Sequence, residues 1–441
     1  MADGRKKRTV RSDIVRDSFH TFGTNAAGTV LGLVSSFFVL RGVNPQVKGY
    51  FNEVQYWGGV FNTILGLSIT SAAIYFVARY KTKNAKGALK RFLAAAFALI
   101  AVGGTGVLVF LRNSRIFRTT PVSYLAAIMV YALLSLLQNV SIGVLRGQNK
   151  FRMFNILTLT QSTLTTVLAV LIAFRPSADF WIWCTNGISF AVLLAALYGV
   201  RRWNGPEPAP RPEDDHPVKT GSMVAYSLKS HVSNILNYLN NNLGNFIVQG
   251  NYGISSLGIF STALTIAQQL WILPDAVSQV ILSRVAAMSD RRDKLRLTLI
   301  STKVVAFATT AASLLVLWMA YLFIPWLFPM YTGVLPLLGY LIIGTIVISY
   351  AKVLGNSIAA YGHPELNVLP NVLGFAVNCA VSFTCIPILH LQGVALATTL
   401  SMASQGIACM VIFCRYSHTR FYRLLIPSRE EITTIRNVFR R

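Results

Sequence analysis

HVSNILNYLNNNLGNFIVQGN, residues 231–251, carries seven asparagines and one histidine between two segments apolar enough to cross a membrane. An unsatisfied polar group in hydrocarbon costs several kcal/mol, so the stretch must pair its amides or keep them wet. On a helical wheel Ser227, Ser230, His231, Asn234, Asn237, Tyr238, Asn241, Asn242, Asn245 and Gln249 fall within an arc of about 140°. Leu228, Val232, Ile235, Leu236, Leu239, Leu243, Phe246 and Ile247 occupy the other side. The pattern predicts one amphipathic helix with an apolar face for lipid or neighbouring helices and an amide face for a wet cavity. An interfacial helix is the alternative, but such helices carry Lys and Arg on the polar face, and here Lys229 lies off it. Single asparagines have a second reading as hydrogen-bond glue between helices.

The rest of the chain puts this helix inside a membrane protein. Of 441 residues 54% are hydrophobic and only 12% charged, outside the range of a soluble domain. Apolar runs long enough for a hydrocarbon core of roughly 30 Å are expected at 18–40, 54–78, 92–111, 121–145, 153–174 and 180–200. A second set follows at 222–249, 255–283, 299–325, 333–360, 366–387 and 393–414. The fold class is therefore an all-α polytopic membrane protein, with twelve transmembrane helices in two six-helix lobes. The N-lobe spans 18–200 and the C-lobe 222–414, joined by a linker at 201–221 whose proline-rich, charged sequence RRWNGPEPAPRPEDDHPVK cannot form a core. Basic tails, 1–17 and 415–441, flank the lobes. The first apolar run lacks a small-residue cleavage site and reads as an uncleaved span.

A net charge of +25 would suggest nucleic acid for a soluble chain, but the placement of the cations explains it otherwise. With the N-terminus in the cytoplasm, 31 of the 40 Lys and Arg fall in cytoplasmic tails and loops and six in the opposite loops. That asymmetry orients the chain with both termini cytoplasmic.

Six spans per half also allow a duplication about an axis along the membrane normal. Gly49-Tyr50-Phe51 matches Gly258-Ile259-Phe260 at an offset of 209, and Gly147 matches Gly362 at 215.

Other spans carry fewer polar residues. The eighth places Ser261, Thr265, Gln268, Asp275 and Gln279 on one side, with Pro274 supplying a kink; the tenth stacks Ser349, Lys352 and Asn356. The N-terminal half offers Asn25, Glu53, Ser135, Gln138 and Asn139. Asp275 falls inside a span and Glu53 at the edge of one, where ionisable groups are functional candidates. Glu53 has a second reading in the headgroup region, and Asp275 as the partner of a neighbouring helix. No phosphate-binding loop, HExxH, GxSxG or GxGxxG is present, so no enzymatic activity and no cofactor are expected. The five cysteines lie in apolar runs and read as core filler rather than metal ligands.

Four segments carry a family likeness. FFVLRGVNPQVKGYFNEVQYWGGVFNTILGLSITSAAIYFVAR, GVLRGQNKFRMFNIL, NFIVQGNYGISSLGIFSTALTIAQQLWILPDAVSQVILSRVAAM and NSIAAYGHPELNVLPNVLGFAVNCAVSFTCIPILHLQGVALATTLS resemble the first hairpin, the fourth-to-fifth turn, the seventh and eighth spans and the C-terminal spans of Wzx-type polysaccharide flippases. That resemblance implies the multidrug/oligosaccharidyl-lipid/polysaccharide exporter superfamily, with two lobes around a central cavity. The chain departs from the family at Asn240–Asn242, where many members hold an acid, and at Arg284, where a proline is common.

The expected function is flipping of a polyprenyl-diphosphate-linked oligosaccharide across the bacterial cytoplasmic membrane by alternating access. His231, Asn234, Asn241, Asn245, Gln249, Gln268, Gln138, Asn139 and Asn356 are the candidate lining for sugar hydroxyls. Lys352, Arg79 and Arg146 are the candidate diphosphate ligands, and Asp275 and Glu53 the candidate coupling-ion sites. Expected partners are the lipid-linked oligosaccharide, membrane lipids, a polysaccharide polymerase and glycosyltransferases, with no nucleic acid. The rival readings are a cation-coupled multidrug exporter, a non-transporting component of a polysaccharide assembly complex, and a membrane glycan ligase.

Overall fold

A computed structural model describes residues 23–202, 216–288 and 290–425. The basic N-terminal tail, linker residues 203–215 and C-terminal residues 426–441 lie outside the described residues, as do the side chains of Ser230, Gln279 and Arg284. All regular structure among the described residues is helical.

α1 (Gly23–Gly42) is followed by α2 (Pro45–Leu65), whose start is written in two residues. The Asn44 side chain accepts from the Val47 N–H at 2.8 Å, and Pro45 takes the first helical position, where a missing N–H costs nothing. α3 (Ile69–Leu99) passes through a π-helical turn, Ile100–Gly104, into α4 (Thr105–Leu111). α5 (Val122–Gly147), α6 (Phe151–Phe174) and α7 (Ala178–Arg202) complete the first half. The second half holds α8 (Thr220–Gln269), α9 (Ile272–Ala287), α10 (Arg291–Leu327), α11 (Val334–Ala360), α12 (Val368–Ser417) and the short α13 (Tyr422–Leu425).

Among the described residues eight helices are long and apolar enough to cross a membrane, or ten if each of two bent pairs is one span. α8 and α12 are each interrupted, by Gly253 at φ 79° and His390 at φ 51°, in the segments where hydropathy predicts loops. The basic segment 79–91, expected as a loop, instead continues α3 as helix. Its Lys, Ala, Leu and Arg are strong helix formers, and Gly87 alone opposes them.

Both bent pairs are second spans of their halves. α2 and the start of α3 enclose 56°, and α8 and α9 enclose 41°. The second bend falls at Leu270–Trp271, not at Pro274 itself. Proline clashes with the carbonyl four residues back, here Leu270, and is tolerated within the first turn of α9.

The chain divides into two compact units, 1–238 with 253–258, and 239–252 with 259–441. The division falls inside the asparagine-rich stretch, after Tyr238, and not in the 201–221 linker. In unit 1, Val39, Leu168, Ile172 and Trp181 pack α1, α6 and α7 together, and Leu145, Leu157 and Val192 join α5, α6 and α7. In unit 2, Leu299, Leu354, Ile358, Cys409, Phe413 and Leu424 join α10 to α13. All five cysteines are free thiols, with Cys409 buried in that core.

Two local geometries repeat between the halves. A Cβ added to Gly49 would collide with the Ile254 carbonyl, and one added to Gly258 with the Pro45 carbonyl. Pro45 and Ile254 are separated by the same 209 residues as the glycines, so within unit 1 the contact is reciprocal. The second match needs a correction. The bonds Gln148 N–H to Val144 O, Asn149 N–H to Arg146 O and Lys150 N–H to Leu145 O recur at Tyr361–Ser357, Gly362–Ala359 and His363–Ile358, an offset of 213 and not 215. Both sets are Schellman caps, with the left-handed position held by Asn149 at φ 57° in one half and Gly362 at φ 94° in the other. Matching glycine to glycine therefore misses the true register by two residues.

Candidate functional site

The polar face of α8 begins by satisfying the break between α2 and α3. Leu67 and Ser68 have φ of 50° and 53°, a region that non-glycine residues enter at a cost. A broken span also exposes backbone groups that need partners inside the bilayer. Ser227 Oγ donates to the Leu67 carbonyl, Asn234 Nδ2 donates to Ser68 Oγ at 2.9 Å, and His231 Nδ1 lies 3.2 Å from the same hydroxyl. One turn on, the Tyr238 hydroxyl donates to the Tyr56 carbonyl at 2.7 Å and fills the space over Gly59. His231 is buried and Asn234 remains exposed beside these bonds.

Unit 1 holds further members of the expected site. Gln138 is buried and its Nε2 donates to Gln161 at 2.7 Å, whereas its neighbour Asn139 is exposed. Asn62 Nδ2 donates to Ser135 Oγ at 2.8 Å. Arg79 Nη1 donates to the Tyr75 hydroxyl at 2.9 Å, and Tyr75 stacks on Tyr226 of α8 with ring centres 4.3 Å apart. Arg146 is exposed with its guanidinium 5.4 Å from the Phe154 ring. α3 and α5, which carry the two arginines, approach closely where Gly147 meets Ile74 and Val77. Glu53 is fully buried and accepts from Thr120 Oγ1 at 2.7 Å. Arg112 ties the same loop by donating to the Phe117 and Thr120 carbonyls at 2.7 and 2.9 Å. Glu53 thus helps hold the α4–α5 connection.

In unit 2, α9 and α11 bring together Asp275, Lys352 and Asn356, and α8 carries the other candidates. Lys352 Nζ lies 2.8 Å from Asp275 Oδ1 and 4.3 Å from the centre of the Trp271 ring. One turn along α11, Asn356 Nδ2 donates to Ser278 Oγ at 2.8 Å, and Ser278 Oγ donates to the Asp275 carbonyl at 2.9 Å. The result is a ladder in which the acid and the cation of the sequence reading neutralise each other beside neutral donors. Lys352 side chain is 21% exposed and Asp275 48%, so the pair remains accessible to a competing ion. Asn240, which lies off the α8 stripe, is buried and donates to the Asn371 carbonyl at 2.9 Å, gluing α8 to α12. Asn245 is buried with Nδ2 3.3 Å from Asn242 Oδ1, Gln249 is also buried, and Asn241 and Gln268 are half-buried. Ser68 and Trp271 were not singled out by the sequence. Each sits at a bend, and the Pro274 kink was the one signal pointing towards Trp271.

The family model for a polysaccharide biosynthesis protein matches residues 95–330, more than half of the chain. The chain belongs to that family. No curated protein matches it. Solved structures share the fold, among them the three that follow. An inward-facing multidrug resistance MATE family transporter of the MOP superfamily is 15% identical with a TM-score of 0.64, over 90% of this chain and 95% of that one. Lipid II flippase MurJ in an inward closed conformation is 14% identical with a TM-score of 0.63, over 93% and 89%. A MOP superfamily transporter from Pyrococcus furiosus, described as having a binding pocket of reverse polarity, is 15% identical with a TM-score of 0.62, over 93% and 96%. This polysaccharide biosynthesis family member is thus a multi-pass membrane protein that shares the fold of these structures.

Proposed function

We propose that this protein flips a polyprenyl-diphosphate-linked oligosaccharide across the cytoplasmic membrane by alternating access, with both termini cytoplasmic and twelve spans in two lobes. The observation that carries the reading is the Lys352–Asp275 pair beside Ser278 and Asn356: an exchangeable cation set among neutral donors. A diphosphate competes with the Asp275 carboxylate for Lys352, and Asn241, Asn245, Gln249 and Gln268 of the same unit offer amides to sugar hydroxyls. Arg79 and Arg146 serve as cations for the diphosphate on the basic side. A carboxylate released from Lys352 is left without its cationic partner and can take a coupling ion in its place, which links substrate binding to coupling at Asp275. The family description supports a polysaccharide pathway, in which a polymerase and glycosyltransferases are the functional partners.

The rival is export of drug-like cations; the similar MATE structure is that of a multidrug resistance transporter. A cation site needs an unneutralised acid, whereas Asp275 is paired and Glu53 is buried. Deleting the gene separates the two readings. Lipid-linked glycan should build up in the cytoplasmic leaflet with unchanged drug susceptibility; drug hypersensitivity with normal glycan export would assign the exporter.

A further inference from the structure

Three helix ends of unit 2 surround a recess that contains none of the expected substrate residues. α10 begins there at Arg291, α11 ends with Tyr361 as its cap, and α12 ends at Ser417 before His418 turns the chain at φ 55°. The recess has a volume of about 610 Å³ and is lined by Arg291, Lys294, Tyr361, Arg415, Tyr416 and His418. Its frame is organised without a ligand. Arg291 Nη2 donates to the Tyr416 carbonyl at 3.3 Å, Lys294 Nζ lies 5.7 Å from the centre of the Tyr361 ring, and the two tyrosine rings are 5.5 Å apart.

Among the described residues no carboxylate lines the recess. The nearby acids are drawn elsewhere or face outward: Asp290 caps α10 by accepting from the Arg292 N–H at 2.8 Å, Glu365 lies 3.0 Å from His363 Nδ1, and Asp293 is exposed. Arg291, Arg292 and Lys294 also stand in the first turn of α10, at the positive end of its dipole, where cations are disfavoured unless an anion joins them. Two guanidiniums, an ammonium, an imidazole and two aromatic walls form the donor set that takes a phosphate group.

The adjoining surface indicates where that phosphate comes from. α13 buries Leu424 in the core with Met410 and Phe413, yet turns Phe421, Tyr422 and Leu425 outward at 41%, 50% and 48% exposure. Outward apolar and aromatic side chains beside basic helix ends match a membrane interface. We propose that this recess binds the phosphate of an anionic lipid headgroup. Tyr361 lies nine residues beyond Lys352, about 13 Å of helix rise, and five beyond Asn356, about 7.5 Å; the recess shares no residue with the Lys352–Asp275–Ser278–Asn356 ladder and does not depend on the transport reading.

The test uses the full-length protein in neutral detergent, with retained lipid counted by native mass spectrometry and the thermal midpoint followed in parallel. Phosphatidylglycerol should stay bound and raise the midpoint, while phosphatidylcholine should do neither. Arg291→Gln with Arg415→Gln should weaken phosphatidylglycerol binding by about tenfold or more. Lys86→Gln with Lys90→Gln, the same charge loss on exposed residues of α3, should leave it within about twofold. Equal retention of the two lipids by the wild type, or equal phosphatidylglycerol binding by the wild type and the glutamine pair, would overturn the proposal. A midpoint shift reproduced in full by inorganic phosphate would reassign the recess to a soluble anion. If the glutamine pair does not fold, the wild-type lipid comparison and the charge-preserving Arg291→Lys with Arg415→Lys decide, and loss of lipid preference in that lysine pair is not expected.

Discussion

Asp275→Asn should tighten diphosphate binding, although it removes half of an ion pair. Lys352 and Asp275 are 2.8 Å apart, but with side chains 21% and 48% exposed the attraction is screened. Pairs of that exposure contribute about 0.2–1 kcal/mol. The Trp271 ring stays in place over Lys352 in either protein, so its contribution cancels. An incoming diphosphate has to displace Asp275 before Lys352 can bind it, and neutralising the acid removes that competition. At the upper limit of about 1 kcal/mol the dissociation constant falls about fivefold. The assay is isothermal titration of farnesyl diphosphate into the purified wild type, Asp275→Asn, Lys352→Gln and the double variant. Lys352→Gln should lose most of the binding, and Asp275→Asn should change nothing further in that background, since the acid acts only through the lysine. Unchanged or weaker binding in Asp275→Asn, or the same gain with and without Lys352, would refute the competition.

Other outcomes follow from single contacts. Ser227→Ala strands the Leu67 carbonyl at the first bend and should cost about 1–3 kcal/mol of stability, with faster amide exchange across 66–71; unchanged exchange there would remove Ser227 from that role. Gly258→Leu drives a side chain into the Pro45 carbonyl and should lower the thermal midpoint sharply, as should Gly49→Leu at Ile254, whereas Gly339→Ala has open space and should be silent. Gly362→Ala should destabilise by about 1 kcal/mol at φ 94°, while Asn149→Gly at φ 57° should be neutral or slightly stabilising.

The spans and the two faces of α8 were legible because they rest on local periodicity, which hydropathy and a helical wheel read directly. The partners were not. Ser68 meets Asn234 from 166 residues away and Lys352 meets Asp275 from 77, separations at which sequence spacing carries no information. Both members of the latter pair were flagged, yet as a diphosphate ligand and an ion site separately, and the pairing itself changes the chemistry. The bend at Leu67–Ser68 was hidden because neither residue favours a left-handed backbone; it exists through the hydrogen bonds that α8 brings to it. The turn register was misread for the opposite reason, since Asn149 does in one half what Gly362 does in the other. Glu53 looked accessible at the mouth of a span and is enclosed by the Thr120 loop.

Transbilayer movement of a fluorescent polyprenyl-diphosphate oligosaccharide in proteoliposomes tests the central claim most directly. The wild type should move the lipid between leaflets faster than protein-free vesicles, Lys352→Gln should return the rate to the protein-free level, and a labelled zwitterionic lipid should not be carried. A wild-type rate equal to that of empty vesicles, with correctly inserted protein, would contradict it.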